Sequence, residues 1–218
     1  MIRLITTTRF DRDHFLKESW LAKSIARRPI PFTLAMSPPS LASVYNVAIE
    51  QADPNDVLVF IHDDVRLPEM DVRENLIEVA LEQALEKFDV VGVVGSTRRL
   101  PGQVYWFSTD GKSWDHGYLS GAVEHKNGVA GYGQAPQEVK LLDGLLLAAR
   151  ASTLQKSGVR FDPRFKFHFY DLDFCRSCEQ AGLKMGTWPI IVGHASGGKF
   201  GSGPWTEARA AYIEKWRV

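Results

Sequence analysis

This sequence predicts a three-layer α/β fold built on a mostly parallel central sheet, with an excursion at the sheet edge. Short β-branched or apolar runs alternate with stretches of helical period from the N-terminus to Gly95. The clearest of them, Asp56-Val57-Leu58-Val59-Phe60-Ile61, is apolar without interruption after its opening Asp56, as suits a strand buried on both faces. A chain of 218 residues, 44% hydrophobic, can bury roughly 70% of its extended surface around its own core. Its two cysteines, Cys175 and Cys178, could not supply a disulfide framework in place of that core.

Met1 to Arg9 reads as a β-branched strand running into a polar loop, and Asp11 to Arg27 as a helix stopped by Pro29 and Pro31. Phe32 to Met36 is a second strand, and Ser37-Pro38-Pro39-Ser40 turns the chain into a short helix around Val44 to Ile49. The strand at Asp56 to Ile61 follows and ends abruptly in His62-Asp63-Asp64. Glu74 to Phe88 is helical in period, and Val90 to Gly95 is another buried strand. Residues 96–138, rich in glycine, serine and aromatics, lack the apolar content to close a core alone and read as the excursion, with a strand at Tyr105-Trp106-Phe107. Regular structure resumes at Val139 to Gly144 and Leu145 to Ala149. Asp171 to Ala181 is a helix capped by Gly182, Trp188 to Val192 a last strand, and Trp205 to Trp216 a closing helix within 205–218. The whole of 1–218 is expected to form one domain.

Twenty-six basic and 26 acidic residues cancel, so no overall field draws in a nucleic acid. No apolar run reaches the roughly 20 residues of a membrane span, and no secretory leader opens the chain, so a cytoplasmic protein without an integral membrane segment is expected. Its oligomeric state is open.

Ligands of open α/β sheets gather beyond the carboxyl ends of the strands, where Asp63 and Asp64 fall. Adjacent carboxylates repel, and a hard divalent ion relieves them; the blander reading is a capped turn toward Arg66. A second cluster, Phe167-His168-Phe169-Tyr170-Asp171-Leu172-Asp173, crowds polar groups among aromatics near a helix start. Capping explains one of its carboxylates. Asp171 can act as a general base there, with Asp173 positioning a hydroxyl or a neighbouring side chain. His194, at a strand end, can join Asp64 as a metal ligand, and the glycines after it with Lys199 suit a phosphate. The run Gly193 to Lys199 almost meets the phosphate-loop pattern but has Phe200 where Ser or Thr is needed. Cys175 and Cys178 fit helix packing better than zinc or redox work.

Together, His62-Asp63-Asp64, Leu142-Asp143-Gly144, Phe167 to Asp173 and His194 resemble the nucleotide-sugar glycosyltransferases of the GT-A fold, nearest to the bacterial family-2-like group, over about residues 1–200; Tyr45 to Ile49 also matches. The resemblance implies a GT-A-like fold and an inverting, metal-dependent transfer from a nucleoside-diphosphate sugar to a glycan, lipid-linked or other hydroxyl acceptor. It implies Asp171 as base, Asp143 holding the transferred sugar, Asp64 and His194 as ligands of Mn2+ or Mg2+, Asp63 nearer the donor sugar or ribose, and the loop Thr6, Thr8 and Arg9 gripping the nucleotide. Tyr170 stands where the family has an acid. No carboxylate after Phe32 to Met36 is placed to read a uracil ring. Trp106, Trp114 and Tyr118 can wall an acceptor or simply pack. Two other functions stay open: a nucleotide-dependent phosphotransferase or hydrolase working through Lys199, and a sugar-nucleotide or carbohydrate binder that keeps the fold without turnover.

Overall fold

A computed structural model describes residues 1–27, 29–68, 76–196 and 200–217. In chain order the elements are β1 (Ile2–Thr8), α1 (Arg12–Glu18), α2 (Trp20–Arg27), β2 (Phe32–Met36), α3 (Leu41–Gln51), β3 (Val57–Ile61), β4 (Val65–Arg66), α4 (Leu76–Leu85), β5 (Val90–Gly92) and β6 (Val94–Ser96). There follow β7 (Leu119–His125), β8 (Gly128–Gly133), β9 (Gln137–Glu138), β10 (Leu141–Leu142), β11 (Leu146–Arg150), α5 (Ala151–Ser157), α6 (Tyr170–Gln180), β12 (Met185–Thr187), β13 (Val192–His194) and α7 (Gly203–Trp216).

The main sheet has the order β2-β1-β3-β11-β5-β12-β9. Strands β2, β1, β3, β5 and β12 run one way, while β11 and β9 oppose them. The period of two along β3 sorts its side chains between two cores. Leu58 and Phe60 enter the one built with α3, α5, α6 and α7; Val57, Val59 and Ile61 enter the one built with α2 and α4. That alternation is the three-layer arrangement the sequence predicts.

Several expectations are corrected. The run Val90 to Gly95 is not one strand: β5 belongs to the main sheet, and after Val93 β6 crosses into a second sheet, ordered β10-β6-β7-β13-β4 with β8 beside β7. Residues 96–138 therefore supply much of a second sheet rather than only an edge excursion. Its strands escape a hydrophobicity reading because close backbone approach requires glycine: Gly121 has φ +96°, and a Cβ there would meet the Val93 carbonyl. Tyr105 to Phe107 forms no strand, only a bridge from Phe107 to Trp114. Pro189 interrupts the expected last strand, which is displaced to β12 and β13 on either side. The first helix is broken at Ser19, whose hydroxyl donates to the Asp63 carbonyl at 2.5 Å. The short helix α5 has no counterpart in the sequence reading. Among the described residues no helix is long and apolar enough to cross a membrane.

Candidate active site

The reversed strand β11 assembles the site. Because it runs against β3, its first residue Leu146 pairs with Ile61, the last of β3. The turn Asp143-Gly144 that precedes β11 is thereby carried to His62-Asp63-Asp64, which follow β3, and the His62 N–H donates to the Leu145 carbonyl at 3.1 Å. From the second sheet β13 brings His194 opposite Val65, and the Ala195 N–H donates to the Asp64 carbonyl at 3.1 Å. The loop into α6 closes the far side. Asn46 of α3 fixes its start by exchanging two hydrogen bonds with the Phe161 backbone, at 2.8 and 2.9 Å.

Helix α6 begins under strain. Phe169, its N-cap, holds φ +67°, a left-handed conformation costly for a bulky side chain. Its ring is packed by Tyr105, Trp205 and Tyr212, which over-determine that geometry. The next residues are Tyr170 and Asp171. The Asp171 carboxylate accepts from the Gly144 N–H at 3.0 Å and from its neighbour Leu172 N–H at 2.9 Å. Burial, and then the charge of Asp143, push its pKa up to about 7 against those backbone donors. Gly144 has to be glycine: a Cβ there would lie 2.1 Å from the Tyr170 hydroxyl oxygen and 3.0 Å from the Asp171 Cβ. The Asp143 carboxylate is steadied by the Leu145 N–H at 3.0 Å.

On the opposite wall His62, Asp64 and His194 each offer a ligand atom, all within 4.8 Å of one another. His194 Nε2 lies 3.4 Å from Asp64 Oδ1 and 3.3 Å from the Ser196 hydroxyl. Burial opposes both charges, yet the pairing wins: Asp64 is held well below the usual carboxylate range, and His194 is raised by Asp64's hydrogen bond and charge. Burial lowers the His62 pKa against the opposing charges of Asp64 and Asp143. One carboxylate oxygen and two imidazole nitrogens are a donor set that fits a divalent transition ion.

These groups face one cavity of about 880 Å³. It gathers Asp171, Asp143, Asp63, Asp64, His194, Thr8 and Arg9, all expected at the site, with His168 from the second cluster, and adds His62, Phe10, His125 and Lys166. Trp106 and Trp114 line it, whereas Tyr118 lies beneath the Arg98 guanidinium at 3.4 Å. Thr6 does not line it: the side chain is wholly buried within β1, and Thr8, two residues further on the same face, reaches the cavity because it stands at the strand end. Asp173 does not line it: the carboxylate accepts from Lys215 Nζ at 2.6 Å and Trp216 Nε1 at 2.8 Å, so of the two roles the sequence allows it the structure shows the positioning of neighbouring side chains, here those of α7. Lys199 and the glycines before it lie outside the described residues. Cys175 and Cys178 are buried and unbridged, with the Cys175 sulfur accepting from the Leu142 N–H at 3.2 Å, a packing role. The sequence reading passed over His62 as a ligand, although it opens the three-residue strand end that singled out its neighbours.

The sequence profile described as "Glycosyltransferase like family" matches residues 31–197, most of the chain. The chain belongs to that family. Its fold is similar to that of GalNAc-T7, in a structure with UDP, GalNAc and Mn2+, at a TM-score of 0.56 and 12% identity over 98% of this chain and 48% of that one. Weaker likenesses are S. aureus TarS with UDP (TM-score 0.49, 12% identity, 90% of this chain and 61% of that chain) and a Drosophila β1,4-galactosyltransferase 7 mutant with manganese, UDP-Gal and xylobiose (0.46, 11%, 86% and 65%). This glycosyltransferase-like chain thus spans about half the length of GalNAc-T7 and under two thirds of the other two. No curated protein matches it in sequence. Two sheets and flanking helices in this arrangement are the GT-A fold.

Proposed function

We propose that the chain transfers a sugar from a nucleoside-diphosphate sugar to an acceptor hydroxyl, inverting the anomeric carbon. One observation carries this reading: Asp171, a carboxyl with its pKa pushed up to about 7, opens on the cavity that also holds Asp64 and His194. A base poised near neutrality is effective at taking a proton from a hydroxyl. Asp171 takes the acceptor's proton while the acceptor oxygen bonds to the anomeric carbon and the diphosphate departs from the opposite face, so the configuration inverts. Asp143, beside the base, keeps it basic and is placed to orient a sugar hydroxyl. Thr8, Arg9 and Asp63 would hold the nucleotide end, and Trp106 and Trp114 offer faces to a glycan, lipid-linked or other hydroxyl acceptor. A divalent ion held by Asp64 and His194 would neutralise charge developing on the leaving diphosphate. The likeness to GalNAc-T7 makes UDP-sugars with Mn2+ the first donors to offer, and Mg2+ the second. A cytosolic location completes the proposal.

The test offers UDP-sugars, Mn2+ and a panel of acceptors, and reads released UDP and the product's anomeric configuration by NMR. Inverted product, with kcat/KM rising through about pH 7 as Asp171 ionises, is the expected result. Retained configuration, or no UDP-sugar binding with either ion, overturns it.

A further inference from the structure

Tyr170 is the first residue of α6, and its hydroxyl is fully engaged. The oxygen lies 2.7 Å from the Gly144 carbonyl and 2.7 Å from His62 Nε2. A carbonyl can only accept, so the single phenolic proton goes to Gly144. His62 Nε2 must then be the donor toward Tyr170. That assigns the ring's tautomer: Nε2 carries the hydrogen and Nδ1 keeps its lone pair. The same ring belongs to the trio with Asp64 and His194, and Phe167 stacks on it at 5.7 Å and 24°.

We propose that Tyr170 is a positioning residue that fixes His62 as a third metal ligand, through Nδ1, beside Asp64 and His194, and that the two imidazoles make the site prefer Mn2+ to Mg2+. Metal-bound histidines commonly donate their other N–H to an oxygen partner, which sets the tautomer and aims the ring. Here a tyrosine hydroxyl, held by a backbone carbonyl, is that partner. Mg2+ favours oxygen ligands and its own waters, whereas imidazole suits transition ions. Gly144 ties the two halves of the cleft: its carbonyl fixes Tyr170, and with it His62, while its N–H holds Asp171.

The inference rests on the proposed transfer only in that both use a divalent ion, and its test requires no turnover. Mn2+ and Mg2+ titrations of the full chain by calorimetry, with Mn2+ EPR, give affinities and nitrogen ligation. Nitrogen-15 NMR of the wild-type protein reads the His62 tautomer. Expected are Mn2+ bound more tightly than Mg2+ through two imidazoles, and His62 protonated at Nε2 before metal is added. Tyr170→Phe should weaken Mn2+ by about 10–100-fold. Should that variant fail to fold, the wild-type tautomer and ligation decide the matter. A His62 protonated at Nδ1, a single imidazole on Mn2+, equal affinity for Mg2+, or unchanged Mn2+ affinity in folded Tyr170→Phe would each overturn the proposal. UDP-sugar turnover alongside any of these leaves the transfer reading standing; Mn2+ bound as expected without UDP-sugar binding defeats that reading alone.

Discussion

Asp171 and Asp173 stand two residues apart in the first turn of α6, and the structure puts them in different surroundings. At about 100° per residue they lie roughly 200° apart around the axis, so one faces the cleft and the other faces α7. Asp171 meets two backbone N–H groups and the like charge of Asp143, with no cation beside it among its strongest influences. Asp173 meets Lys215 and Trp216. Burial raises both pKa values, but Lys215 and Trp216 restrain the rise at Asp173. Proximity in sequence says little about role when a helix separates the residues onto opposite faces; what each carboxylate meets decides whether it is kept basic or kept paired.

The sharpest way to break this contrast is Asp171→Asn. It preserves shape and removes basicity, so transfer should fall by about 10²–10⁴-fold while UDP-sugar binding, read by calorimetry, stays near the wild-type value. Transfer at the wild-type rate by folded Asp171→Asn would move the base elsewhere. Gly144→Ala should come next, because its Cβ overlaps the Tyr170 hydroxyl and crowds Asp171. Overpacking of this kind costs about 1–3 kcal/mol, seen as a lower melting temperature, together with a loss of transfer and of Mn2+ affinity. A variant that lost neither would show that the Gly144 peptide does not join the two walls.

The pH dependence sharpens the same contrast. Asp171's folded pKa is raised to about 7 from a model-peptide value of 3.8, so between those values the folded state keeps a proton that the unfolded state has released. The stability this contributes is complete below about pH 4 and is lost as pH climbs through 7, at up to about 1.4 kcal/mol per pH unit. Denaturant melts across pH 4–8 should show wild type losing stability relative to Asp171→Asn over that window. Parallel curves would mean that Asp171 is not a buried, proton-holding group.

What the sequence made legible follows the range of the interactions. β3 is readable because five consecutive apolar residues, Val57 to Ile61, declare it, and the carboxylates after it are readable because a strand end is where sites form. β11 is readable as regular structure, but its reversed direction, which delivers Asp143 and Gly144 to the site, is a matter of pairing and not of composition. The second sheet depends on a strand that changes partners at Val93 and on glycines that let backbones approach, neither of which leaves a hydrophobic period. Thr6 and Thr8 look alike in sequence and share a face of β1, and they differ only in that Thr8 stands at the strand end, where the cavity opens. His62 becomes a ligand candidate only when β13 arrives from some 130 residues downstream, and Asp173 becomes an anchor only when α7 folds back onto α6.

Asp173→Asn should have the smallest effect on chemistry. The amide can still accept from Trp216 Nε1, and Lys215 keeps Asp162 at 2.9 Å, so no lysine charge is stranded. Lys215 and Trp216 share Oδ1, so what disappears is the negative charge opposite Lys215 in a wholly buried setting, which costs up to about 1.5–3 kcal/mol. For a chain of this size that corresponds to a melting temperature lower by about 3–12 °C. Because α7 also packs Trp205 and Tyr212 against the strained Phe169, some of the loosening should reach Asp171. At temperatures well below the melt, kcat should fall by less than about tenfold, with its pH profile unmoved, since a proton-transfer group contributes about 10²–10⁴-fold. A loss of transfer as deep as that of Asp171→Asn, at an unchanged melting temperature, would place Asp173 at the reaction and overturn the division between the two faces of the helix.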